Sequence, residues 1–177
     1  ERAAPKPELT LILGANERLE AIVHGLDSYV AAGSEVVVVA EPDDEEMVNA
    51  LKEGLQNQTL IYRKADTTDR KVLDSLDVGR FDHLIVLSDN ELEAEISDSR
   101  VLVTLLHLRE IGEKIGKDLA IVSEMRDVRN RRLAEVTDAD DFIVSDKLVS
   151  LMMCQVAENK ELFAVLSDLF DPEGAEI

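Results

Sequence analysis

A chain of 177 residues, 45% apolar, is sized for one domain around a single large core. Its net charge of −19, from 38 acidic and 19 basic residues, speaks against DNA or RNA as a partner, because the phosphate backbone would be repelled. No apolar run approaches the roughly 20 residues that cross a bilayer, and the one cysteine, Cys154, excludes an internal disulfide and a CxxC metal site.

The chain opens at Glu1 with no signal peptide, and Pro5-Lys6-Pro7 reads as a linker. The expectation is a fragment, with any membrane-spanning part outside it. Leu9 to Leu13 is a buried strand closed by Gly14. Asn16 is placed to cap a helix over Arg18 to Ala32, which Gly33 ends. Glu35 to Ala40, with four consecutive valines, is the second strand. Pro42 opens a helix whose first turn carries Asp43, Asp44, Glu45 and Glu46, acids that complement the helix dipole.

Thr59 to Arg63 is the third strand, Asp69 to Leu76 a short helix, and His83 to Leu87 a fourth, very apolar strand. A long helix follows from Leu92 to Ile111, stopped at Gly112. Leu119 to Val122 is the fifth strand, Asp127 to Val136 a helix, Phe142 to Val144 a sixth strand, and Asp146 to Asp168 a last long helix. The strands are continuous apolar runs, as in parallel sheets covered on both faces. The fold class is therefore α/β, a doubly wound Rossmann-like sheet ordered 3-2-1-4-5-6 with a long C-terminal helix.

Ligands in such folds sit outside the carboxyl ends of the strands, at the switch point between strands one and four. Gly14-Ala15-Asn16-Glu17-Arg18-Leu19 stands where a glycine-rich phosphate turn would, but only its first glycine is present. Glu41, just past strand two, is placed to accept ribose hydroxyls or simply precedes a helix. Asp66 is placed to face the crevice, with Thr68 or Asp69 as helix cap. Ser88-Asp89-Asn90 either holds polar ligand atoms or caps the long helix.

Catalysis finds little support. His24, His83 and His107 have no Ser or Cys nucleophile in a recognisable setting, and there is no HExxH or P-loop. Arg126, Arg129, Arg131 and Arg132 form a basic cluster that docks a neighbouring acidic face or an anion, or pairs locally with Glu124, Asp127 and Glu135. Asp138-Ala139-Asp140-Asp141 lacks EF-hand spacing and reads as a solvated turn. Cys154, inside an apolar stretch, is expected to be a buried thiol.

The last helix carries more apolar surface than one sheet face needs. Leu148, Met152, Val156, Phe163, Leu166 and Phe170 are the expected interface with another subunit or another domain, with packing as a simple core helix at the sheet edge the alternative.

A nucleotide-binding-like unit followed by such a helix resembles the RCK (TrkA-type) domains that regulate potassium channels and transporters. Phe81 to Asp89, Asp98-Ser99-Arg100, Val122-Ser123-Glu124, Ser145 to Ser150, Val156 to Lys160 and Leu169 to Gly174 resemble the cytosolic part of the CASTOR/POLLUX ion-channel family, most closely the second of its two tandem RCK-like units. The likeness runs from about Leu9 to Ile177. It implies residues 1–8 as linker, 9–145 as the Rossmann-like RCK domain, and 146–177 as crossover helix and tail.

It further implies a non-enzymatic, ligand-sensing gating-ring domain of a cation or potassium channel or transport protein. Such a domain is soluble in itself, lies on the cytoplasmic face, self-associates as a dimer or tetrameric ring, and attaches to a membrane pore outside this sequence. The family's nucleotide-binding residues fall at Gly14, Asn16, Glu41 and Asp66, and the ligands implied are NAD(H), an adenine nucleotide or Ca2+. Two other readings stand beside it: a nucleotide-dependent oxidoreductase fragment, which would need a substrate domain, and a scaffold domain that binds nothing.

Overall fold

The structure, a computed structural model, describes residues 6–130, 141–159 and 161–169. Six strands alternate with helices: β1 (Leu9–Leu13), α1 (Leu19–Tyr29), β2 (Ser34–Ala40), α2 (Glu45–Lys52), β3 (Gln58–Lys64), α3 (Arg70–Ser75), β4 (His83–Val86), α4 (Ala94–Ile115), β5 (Ile121–Met125), β6 (Asp141–Val144), α5 (Ser145–Glu158) and α6 (Glu161–Leu169). The strands form one sheet in the order β3-β2-β1-β4-β5-β6, every pair parallel. This is the doubly wound order that the strand-helix alternation predicts.

Strand geometry divides the core in two, because successive side chains point to opposite faces. Leu11, Leu13, Val37, Val39, Leu84 and Val86 pack against Leu73 of α3 and Leu105 and Leu108 of α4. Ile12, Val36 and Val38 pack against Leu19 and Val23 of α1 and Leu51 of α2. Both faces are apolar there, so β1, β2 and β4 read largely as valine, leucine and isoleucine, whereas β3 and β5 carry polar residues.

At the amino ends of the strands a buried acid fixes the chain. Asp27 accepts hydrogen bonds from the backbone N–H groups of Gln56, Asn57 and Gln58, each at 2.9 Å, and so sets where β3 begins. Burial pushes the Asp27 carboxyl up, but the three donors outweigh it and hold the group below the ordinary carboxylate range.

Several boundaries differ from expectation. Asn16 does not cap α1; its Oδ1 accepts from Arg18 N at 2.9 Å in a tight turn, and the helix starts at Leu19. Asp44, not Pro42, opens α2, its carboxylate accepting from the N–H groups of Glu46 and Met47. Gly112 lies inside α4, where an added Cβ would meet Lys117 O at 2.9 Å, so glycine serves close packing there. The helix ends instead at Gly116, with φ 65°. β5 runs on through Glu124 to Met125, past the expected end at Val122. Asp127 is followed by a short 3-10 turn, Val128–Asn130, and the rest of the helix expected to Val136 lies outside the described residues. The last helix is two segments, with Asn159 between them accepting from Leu162 N at 3.1 Å.

Candidate functional site

A crevice of about 760 Å3 opens outside the carboxyl ends of β1, β2 and β4, walled by the turn after β1, the start of α2 and the first turns of α4. Gly14 stands at its floor with φ 97°. Its N–H donates to Val39 O at 2.9 Å, and an added Cβ would meet Leu87 O at 2.7 Å. Glycine is required there because the chain leaving β1 passes directly over the chain leaving β4.

Of the expected site residues Gly14 and Asn16 line this crevice, while Ser88 is buried behind them and does not line it. Asn16 Nδ2 donates to Ser88 O and to Glu124 Oε2, both at 2.8 Å. Ser88 is fully buried, and its Oγ donates to the same Glu124 oxygen at 3.0 Å. Arg18 Nη1 reaches Glu124 Oε1 at 2.7 Å. Glu124 itself is 7% exposed. Ser88 thus ties β4 to β5 and does not cap α4, whose N-cap is Glu93.

Glu41 and Arg100 line a second corner, and Asp66, which does not itself line the crevice, joins them through Arg100. Arg100, on α4, donates from Nη2 to Glu41 Oε2 at 2.8 Å and to Asp66 Oδ1 at 3.1 Å. Asp66 also accepts from the N–H and the hydroxyl of Thr68. Burial pushes the Asp66 carboxyl up, but the Thr68 donors and the Arg100 charge more than offset that and leave it lower than usual. Asp69, in turn, caps α3 through Lys71 N.

The family of folds with this topology binds dinucleotides at the turn after β1, where a second glycine admits the pyrophosphate and a third packs helix on strand. Here Asn16 fills the second position with a side chain already engaged, and Leu19 fills the third, 2% exposed in the core. Among the described residues six acids line the crevice, Glu17, Glu20, Glu41, Asp44, Asp89 and Glu91, against Arg100 as the one basic lining residue. These residues do not fit a dinucleotide pyrophosphate. No group of three or more His, Cys, Asp or Glu could hold a metal ion among the described residues. Asp138-Ala139-Asp140 lies outside them.

Sequence reasoning missed three contributors. Glu124 was placed beyond its strand and so looked like a surface acid. Arg100 and Asp98 stood out only as part of the Asp98-Ser99-Arg100 resemblance. Asp98, fully buried, accepts from Arg126 N at 2.9 Å, Asp127 N at 3.0 Å and Asn130 Nδ2 at 2.8 Å, and so pins the loop after β5 onto α4. In the basic cluster, Arg126 donates to backbone carbonyls of Asp89 and Leu92, and Arg129 pairs with Asp127. Arg131 and Arg132 lie outside the described residues. His24 and His83 meet Ala50 O and Glu8, respectively.

Away from the crevice, α5 and α6 expose much of their apolar surface. Leu148 is 48% exposed, Met153 68% and Phe163 64%, with Val149, Leu151, Val165 and Leu169 also open. Met152, Val156 and Leu166 are half-buried, and Phe170 lies outside the described residues. Cys154 is exposed on α5 rather than buried as expected, because α5 is not sunk into the core. No described helix is long and apolar enough to cross a membrane.

Residues 10–146 match the TrkA-N domain family. The chain is 31% identical, over 97% of its length, to a probable ion channel POLLUX of Oryza sativa subsp. japonica, of which it spans 21%. A crystal structure of the GsuK RCK domain superposes with a TM-score of 0.54 at 19% identity, covering 81% of this chain and 28% of that one. The NAD(P)-binding domain of an exopolyphosphatase-related protein from Archaeoglobus fulgidus does so with 0.58 at 17% identity, covering 85% of this chain and 98% of that one. At these identities the structural likenesses speak to the fold alone.

Proposed function

The chain belongs to the TrkA-N domain family, and from that premise we propose that it is a cytosolic, ligand-sensing regulatory unit of a cation or potassium channel or transport protein. It would act as one subunit's share of a gating ring, attached to a membrane pore outside this sequence. The observation that carries this reading is the apolar surface of α5 and α6, where Leu148, Val149, Leu151, Met153, Phe163, Val165 and Leu169 are all exposed. Burying one Leu or Phe is worth roughly 1.5–3 kcal/mol, so several such side chains favour a second copy as their cover. The likeness to a probable ion channel over nearly the whole chain supports the same reading.

The ligand would act at the crevice, through Gly14, Asn16, Glu41, Asp66 and Ser88. A ligand that drew Arg100 away from Glu41 and Asp66 would loosen α4 from the ends of β2 and β3. That is a local change with a route to the rest of the ring, and couplings of about 1–3 kcal/mol are typical of such devices. The unit has no catalytic role in this reading. Its test is a thermal-shift panel of NAD, NADH, NADPH, ATP, ADP and calcium, run beside a nicotinamide oxidation assay. The expected result is no turnover with any of them. Strong stabilisation by NADPH together with reductase activity would instead make the chain an oxidoreductase fragment.

A further inference from the structure

Four hydrogen-bond donors converge on one carboxylate where β1, β4 and β5 end. Arg18 Nη1 meets Glu124 at 2.7 Å, Asn16 Nδ2 at 2.8 Å, Ser88 Oγ at 3.0 Å and Ser88 N, at longer reach, at 3.4 Å. All four come from the turn after β1 with the start of α1, or from the exit of β4. In this fold class the turn after β1 is the segment that faces a ligand's phosphates; Asn16 lines the crevice there, while Arg18, Ser88 and Glu124 stand directly behind its lining. The carboxylate is part of the chain, deeply buried, and takes charge-assisted bonds on both oxygens.

We infer that Glu124 is a built-in anion: it takes in cis the donors that a nucleotide's phosphate would otherwise use, and so makes the crevice refuse phosphorylated nucleotides. The inference goes beyond the regulatory reading and holds whether or not the chain self-associates. Two features support it together. The donors are satisfied internally, so a phosphate would have to displace a bonded carboxylate. A second anion brought beside Glu124 would also meet like charge in a poorly solvated corner, where repulsion is stronger than in water. Asn16, at the second position of the phosphate turn, is then a positioning residue: its Oδ1 holds Arg18 N while its Nδ2 holds Glu124. Asn16 at that position and the acid on β5 therefore act as a pair.

Removing the acid tests this directly, because it takes the one carboxylate they share away from Arg18, Asn16 and the buried Ser88 hydroxyl. The 177-residue chain, its Glu124→Ala variant and its Glu124→Gln variant would be titrated with inorganic pyrophosphate and with ADP by calorimetry, and melted with and without each. The unsubstituted chain should show neither heat nor a shift in melting temperature. Glu124→Ala should bind pyrophosphate at least about tenfold more tightly than the unsubstituted chain and regain melting temperature when it is added. Glu124→Gln keeps the volume and removes the charge; it covers the case in which the alanine variant does not fold, and should gain pyrophosphate affinity by a smaller factor. Micromolar binding of ADP or pyrophosphate by the unsubstituted chain would overturn the inference, as would no gain in either variant.

Discussion

The sheet body and the terminal helices solve the same problem differently. Within the body, the apolar residues of β1, β2 and β4 are covered on both faces, and Leu11, Ile12, Val36, Val38 and Leu108 have no exposed surface. Its buried acids are just as complete: Asp27, Asp98 and Glu124 each hold three or more donors at the strand ends or on α4. Along α5 and α6, in contrast, Leu148, Met153 and Phe163 stand in solvent. The same residue types therefore carry different meaning in the two regions. In β1, β2 and β4 they make the fold, while on the terminal helices they form surface that the chain does not cover by itself.

The comparison can be broken by showing that the two regions respond alike to truncation. Leu108→Ala, in the α4 face of the core, should cost about 3–4 kcal/mol of unfolding free energy through lost burial and the cavity left behind, read from denaturant melts. Phe163→Ala, in the exposed region, should leave that free energy within about 0.5 kcal/mol when measured at a dilution where copies are apart. Equal losses would mean that α6 is part of the core.

A smaller effect sharpens the electrostatic half. The Asp27 carboxyl is lowered in the folded chain by its three backbone donors. Its contribution is fully present above the unfolded aspartate value of about 3.9 and is lost as the pH falls through the lower folded value. Asp27→Asn should therefore flatten the acid limb of the curve of melting temperature against pH, below about pH 4. At neutral pH it should cost about 1–2 kcal/mol, since one amide face cannot accept where the carboxylate did. An acid limb as steep as that of the unsubstituted chain would remove Asp27 from the account.

Much of the body was legible in the sequence because its signals are redundant. Val36 to Val39, closed by Ala40, can only be a strand buried on both faces, and Gly14 after Leu13 marks the turn at the switch point. The crevice's location followed from topology. Its wiring did not, because side-chain partners lie far apart along the chain: Glu124 is 108 residues from Asn16, and Arg100 is 59 from Glu41. Glu124 was the hardest to see. An acid at the end of an apolar strand breaks the pattern by which strands are found, so the strand was ended before it. Cys154 misled for the opposite reason, since an apolar neighbourhood in sequence implied burial in space.

Whether α5 and α6 cover a second copy is most directly tested by the mass of the chain in solution. Light scattering across a dilution series should give a dimer or larger assembly that dissociates on dilution, and Phe163→Glu should lower the mass to that of the 19.6 kDa chain without loss of fold. A monomer at every concentration, with the unsubstituted chain and the variant indistinguishable, would contradict the account.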